Sequence, residues 1–125
     1  MFPIVFTFFK LLTESCAMNH CQDGLWIFFG TEIQQYTTAP IYGHYELQKN
    51  DVNVRPYFKM NSYGLWWDGT DQWWIGDDID RGSSYGYAFY AKDVFCPHKL
   101  SEWDWTLWDG TAWYEAENDL GITCK

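Results

Sequence analysis

Downstream of the first two dozen residues, short apolar and aromatic runs alternate with stretches rich in Gly, Asp, Asn and Pro. This spacing predicts strands at residues 25–29, 31–36, 44–47, 55–60, 63–67, 72–76, 85–91, 105–108, 111–114 and 120–124. No helical period is sustained, and the frequent Gly, Asn, β-branched and aromatic residues oppose helix. Only 97–102 has room for a single helical turn, and 82–84 is the only flexible-looking linker. Strands this short, with turn signals this regular, predict an all-β fold, a small antiparallel sandwich or barrel built of short hairpins. The pattern divides the chain into an N-terminal arm, 1–24, and one aromatic-rich β-domain, 25–125.

Within that domain, one pattern is written twice. The first copy is Trp66-Trp67-Asp68-Gly69-Thr70-Asp71-Gln72-Trp73-Trp74, and the second is Trp108-Asp109-Gly110-Thr111-Ala112-Trp113. Asp-Gly between aromatic runs is a strong hairpin signal, so each copy predicts a β-hairpin. A four-residue loop over 68–71 would set Trp66 opposite Trp73, with Leu65, Trp67, Gln72 and Trp74 on the other face. In the second hairpin Trp108 should lie near Trp113. Successive strand residues point to opposite faces, so Trp66 and Trp67 cannot enter one core, nor can Trp73 and Trp74. Either a second layer covers both faces, or one face shows an aromatic shelf, which soluble monomers seldom leave bare. A shelf of Trp66, Trp67, Trp73 or Trp74 beside Asp68, Asp71 and Gln72 would suit a sugar. Its rings would stack on the C–H faces while carboxylates and amides grip the hydroxyls. The same surface would also suit an Arg-rich protein through cation–π contacts.

Charge narrows the partners. The 125 residues hold 17 acidic and 8 basic side chains, a formal net charge of −9. Nucleic acid and anionic membrane surfaces need clustered Lys and Arg, so both are disfavoured as partners. Neutral sugars, basic proteins or calcium remain compatible. Asp77-Asp78-Ile79-Asp80 offers oxygens for calcium but lacks the spacing and bidentate Glu of an EF-hand loop, and reads as a solvated acidic turn. Cys16, His20 and Cys21 fall short of a four-ligand zinc site, so no metal or other cofactor is expected. No stretch is long and apolar enough for a membrane span. Nucleophile-elbow, phosphate-loop and zinc-protease motifs are missing, and carboxylate pairs in so acidic a chain identify nothing by themselves. A non-enzymatic role is therefore expected. At the N-terminus, apolar 2–9 followed by Ser15-Cys16-Ala17 resembles a secretory signal, although Lys10 interrupts it and no basic residue precedes it. The alternative is an ordinary strand or the continuation of something larger. Four cysteines, Cys16, Cys21, Cys96 and Cys124, allow three disulfide pairings if the chain is secreted.

The stretch from Gly43 to Cys124 resembles a small aromatic β-module, often repeated in large proteins of marine invertebrates, algae and other protists. The likeness rests on Gly43-His44-Tyr45-Glu46 and Asn53-Val54-Arg55-Pro56-Tyr57-Phe58-Lys59. It continues through Leu65-Trp66-Trp67, Trp73-Trp74-Ile75-Gly76, Gly86-Tyr87-Ala88, Cys96-Pro97, Trp105 and Trp108-Asp109-Gly110. The module usually reads Asn-Gly-Arg-Pro-Val-Tyr in its second block, and Val54 stands in place of that glycine, which argues against a tight turn at Asn53. The resemblance implies a recognition or adhesion unit, and it implies Cys96 bonded to, or facing, Cys124. Cys21 with Cys124 is the second choice, because chain termini often lie together. Arg55 is expected to stack on an aromatic ring or meet an acidic turn such as Asp77 or Asp78, the alternative being a solvated strand-edge arginine. Pro56, lacking a backbone donor, fits an edge or bulge. The sequence thus predicts a non-catalytic extracellular recognition module with a glycan or protein ligand. Carbohydrate binding competes with a purely structural protein-interaction repeat, and the candidate ligand residues are Trp66, Trp67, Asp68, Asp71, Gln72, Trp73, Trp74 and Arg55.

Overall fold

Among the described residues nine strands follow one another: β1 (Leu25–Phe29), β2 (Gly43–Leu47), β3 (Phe58–Met60), β4 (Tyr63–Trp67), β5 (Trp73–Asp77), β6 (Ala88–Tyr90), β7 (Asp104–Trp108), β8 (Trp113–Glu117) and β9 (Leu120–Cys124). The computed structural model describes residues 21–29, 40–97, 104–117 and 120–124. The strand expected at 31–36 and nearly all of the helical turn expected at 97–102 lie outside the described residues. Among the described residues no helix is long and apolar enough to cross a membrane.

All pairings are antiparallel, and the strands form one sheet in the order β8-β7-β6-β5-β4-β3-β2-β1-β9. β2 makes the corner. Its first half, Gly43 to Tyr45, pairs with β1, whereas Glu46 and Leu47 pair with β3. Only two residues separate the end of β8 from the start of β9, so their Cα atoms lie within about 11 Å. Yet these strands are the two edges of the sheet. The sheet therefore curls until its edges approach at one end, giving a half-barrel.

Alternation along each strand fills the concave side. Leu25, Ile27, Tyr45, Phe58, Leu65, Trp67, Trp73, Ile75, Trp105, Leu107, Leu120 and Ile122 form one continuous buried core. A second, smaller core sits on the convex side, where Trp66, Trp74 and Tyr57 pack with Val52 and Phe89. The separation of Trp66 from Trp67, and of Trp73 from Trp74, is thus as the strand period requires. The register is not the expected one: Trp67 faces Trp73 and Trp66 faces Trp74. The loop holds five residues rather than four, closed by the Asp68 N–H donating to the Gln72 carbonyl at 3.0 Å. In the second hairpin the Asp109 N–H donates to Ala112 (3.1 Å), and Trp108 faces Trp113 as expected. The additional loop residue, Gln72, accounts for the one-place slip.

The expected Cys96–Cys124 pairing is replaced by Cys21–Cys124, with Cα atoms 4.8 Å apart. β9 lies beside β1, so its last residue reaches the segment that enters β1. Cys96 is disulfide-bonded as well.

The turn at Asn53 forms despite Val54. Val52 and Arg55 exchange both backbone hydrogen bonds, at 3.0 and 3.2 Å, around Asn53 (φ 51°) and Val54 (φ 61°). Two left-handed residues in a two-residue loop make a type I′ turn, for which Asn-Gly is the favoured sequence. A β-branched residue in this conformation is strained, and the Val54 side chain, 81% exposed, gains little packing in return. Val54→Gly is therefore expected to stabilise the fold by about 1 kcal/mol. A raised urea midpoint with unchanged slope would report this. An unchanged or lower midpoint would show that the turn is not strained.

Candidate functional site

The site is built from the two Asp-Gly loops upward. In each loop the aspartate carboxylate gathers the backbone amides that follow it, an Asx-type arrangement. Asp109 Oδ1 accepts from Thr111 and Ala112 N–H, both at 2.7 Å. Asp68 Oδ1 accepts from the N–H groups of Thr70, Asp71 and Gln72 at 2.9, 3.0 and 3.2 Å, and from the Thr70 hydroxyl at 3.0 Å. Its second oxygen accepts from Trp74 Nε1–H at 3.2 Å and from the Ser84 hydroxyl at 2.8 Å. Burial by itself would raise the Asp68 carboxyl. The donors from Thr70, Ser84, Gln72 and Asp71 outweigh it and hold the group down at about 2. Asp68 is consequently a fixed negative charge that ties the hairpin loop to β5 and to the segment around Ser84.

The four tryptophans of the first hairpin do not form an exposed shelf. Trp66 and Trp73 are 0% exposed, Trp67 3% and Trp74 5%. Trp67 and Trp73 face the concave core, their ring centroids 5.8 Å apart. Trp73 donates its indole N–H to the Val94 carbonyl (2.8 Å). Trp66 is capped on the convex side by the Asp77-to-Tyr87 segment, donating to the Ser83 carbonyl at 2.8 Å. Asn53, from the strained turn, donates to both the Trp67 and the Gly82 carbonyls and so clamps this segment down.

Arg55 stacks as expected, its guanidinium carbon 3.8 Å from the Trp67 ring centroid. The carboxylate it meets is Asp93 (2.7 Å), not Asp77 or Asp78, and it also donates to the Val94 carbonyl at 2.9 Å. This arginine braces the hairpin from behind and takes no part in the cleft described next. Asp77 accepts from the Tyr87 hydroxyl, and Asp78 pairs with Lys59 and Arg81, so both carboxylates are partnered within the protein. A single 3-10 turn, Asp78–Asp80, shapes the acidic segment.

A cleft of about 590 Å³ opens on the convex side of β5 to β8. Its floor is aromatic. Trp74 and Phe89 face each other across β5 and β6 at 4.9 Å, and Trp113 meets them at 6.0 and 5.1 Å with steep interplanar angles of 79° and 66°. Trp108 extends the row, 5.2 Å from Trp113. One wall is the Ser84–Tyr87 segment, seated on the sheet because Gly76 and Gly86 meet backbone to backbone. A Cβ on Gly76 would come within 2.8 Å of the Gly86 Cα. Tyr87 N–H donates to Ile75 and Trp108 N–H donates to Tyr87, both at 2.8 Å, locking the wall to β5 and β7. Gln72 stands at the loop end. Trp113 (42%) and Tyr85 (67%) present aromatic surface to solvent.

No family model, curated protein or solved structure matches this chain. Its function is therefore argued from this geometry alone.

Of the residues singled out from sequence, Gln72 and Trp74 line the cleft, and Asp68 holds two of its lining groups from beneath. Trp66, Trp67, Trp73, Asp71 and Arg55 are not among its lining residues. The residues missed are Phe89, Trp108, Trp113, Tyr85 and the Ser84 wall. A signal for two of them was present: Trp105 and Leu107 share one face of β7, which puts Trp108 on the opposite face with Thr106. Trp113, facing Trp108, must then join it away from the main core.

Proposed function

We propose that this protein is a non-catalytic extracellular recognition module, and that it binds a carbohydrate unit in the convex aromatic cleft. The observation that carries this reading is the cleft itself, a concavity of ligand-binding size floored by aromatic rings and bordered by an amide and hydroxyls. Trp113, the most exposed tryptophan of the floor, supplies a ring on which a sugar C–H face stacks. The rings meet at steep angles rather than lying coplanar, which favours a single ring held in a corner over a long chain laid along a platform. The Cys21–Cys124 disulfide supports an oxidising, extracellular setting.

The test is a glycan array read together with intrinsic tryptophan fluorescence, on the protein and on Trp113→Ala. Binding should fall about thirtyfold or more in the variant, as for a central aromatic anchor. Its melting temperature should change little, since the side chain is half exposed. Retention of full affinity by Trp113→Ala, or no glycan binding by the parent protein, would overturn the assignment.

A further inference from the structure

The fixed charge nearest the cleft floor is negative, while the Gln72 amide and the Tyr85 hydroxyl supply neutral polar groups at its border. Two lining residues have their protons already committed to a carboxylate: Trp74 Nε1–H and the Ser84 hydroxyl both donate to Asp68. Neither has that proton to give a ligand. The exposed Ser84 oxygen can only accept from one. Asp68 stays ionised directly behind the floor, and an indole whose N–H points at a carboxylate gains electron density on its face, which favours a cation there. Among the described residues no Lys or Arg lines the cleft. The nearby Arg81 is paired with Asp78 at 3.1 Å and lies toward Tyr57.

Resting on the carbohydrate reading above, we infer that the cleft selects an amino sugar in its ammonium form over neutral rings, and rejects rings carrying carboxylate or sulfate. The aromatic corner takes the ring, the acceptor at Ser84 and the Asp68 charge take the ammonium group, and an anionic substituent would meet fixed negative charge with no cation to offset it. Gln72 stands at the mouth. It is the one amide in the lining and carries no charge of its own.

The experiment is a fluorescence titration of the full chain with five probes: β-linked tetramers of glucosamine, N-acetylglucosamine, glucose and a hexuronic acid, and tetralysine. It is run at about pH 5.5, where the sugar amine is protonated, with and without added salt. The glucosamine tetramer should bind about tenfold tighter than the neutral tetramers, an advantage that salt reduces, and the uronate should not bind. Gln72→Lys should erase the preference for the amino sugar and admit the uronate, and its melting temperature verifies that it folds. Neutral tetramers binding as tightly as the amino sugar, or uronate binding to the parent protein, would overturn the charge selection and leave the carbohydrate reading standing. Binding of tetralysine and of no sugar, or of no probe at all, would overturn both.

Discussion

Asp68→Ala is expected to destabilise the fold by about 3–4 kcal/mol, and Asp68→Asn by about 2–3 kcal/mol. The alanine variant strips the acceptor from three loop amides and from the indole N–H of buried Trp74 at once. Asparagine keeps an oxygen for the amides, but its NH₂ then faces the Trp74 N–H, donor against donor, while Ser84 can turn to accept. The pH dependence gives an independent signature. The folded carboxyl sits at about 2 against an ordinary 3.8, so its contribution is present above about pH 4 and is lost as pH falls toward 2. The interval corresponds to about 2 kcal/mol. Urea midpoints measured across that range should fall more steeply for the parent protein than for Asp68→Asn, whose residue 68 does not titrate. Parallel profiles, or an alanine variant that melts within about 3 °C of the parent, would show that Asp68 does not organise the loop. Because Asp68 also positions Trp74 and Ser84, ligand affinity at the cleft should weaken in the asparagine variant even at temperatures where it is fully folded.

How far the fold could be read ahead depended on how local each feature is. Leu25–Phe29, Tyr63–Trp67 and Leu120–Cys124 match their predicted bounds residue for residue. Each is an apolar run whose limits are set by neighbouring glycines, loops or termini. The predicted strand 55–60 contracts to Phe58–Met60 because Arg55 closes the type I′ turn and Pro56 has no N–H to pair. The predicted strand 85–91 contracts to Ala88–Tyr90 because Gly86 leaves the ladder to pack on Gly76, a close approach visible only once β5 and that segment are brought together. The same limit governs the site. That Trp66 and Trp67 must part company follows from the strand period, but which tryptophans stay near solvent depends on what covers the convex face. The cover over Trp66 comes from Ser83, distant in sequence. Nothing covers Trp113 to the same degree. The one-place slip in the first hairpin likewise came from loop chemistry: a single Asp68 oxygen reaches the amide of Gln72 as well as those of Thr70 and Asp71, which stretches the loop to five residues. The disulfide was the least legible feature, since its partner is set by the order of strands across the whole sheet.

That disulfide should carry the largest effect on stability. Cys21 and Cys124 are 103 residues apart in sequence, so their bond closes a loop spanning most of the chain. Removing it frees the unfolded ensemble by about 4–5 kcal/mol in the chain-entropy description. β9 is an edge strand whose recorded partner is β1, and the bond fastens its last residue to the segment leading into β1. The double variant Cys21→Ala/Cys124→Ala, which keeps Cys96 oxidised, should therefore melt roughly 12–20 °C lower. The loss should be local before it is global, with the amides of β1 and β9 exchanging with solvent well before those of β4 and β5. The cleft on β5 to β8 lies toward the other side of the strand order. Below its own melting temperature the variant should retain ligand affinity there, in contrast to Asp68→Asn. A loss of less than about 1 kcal/mol would mean that β9 is held by its ladder and apolar contacts alone. A loss of affinity in step with stability would mean that closure of the half-barrel, and not only the local hairpin chemistry, shapes the aromatic cleft.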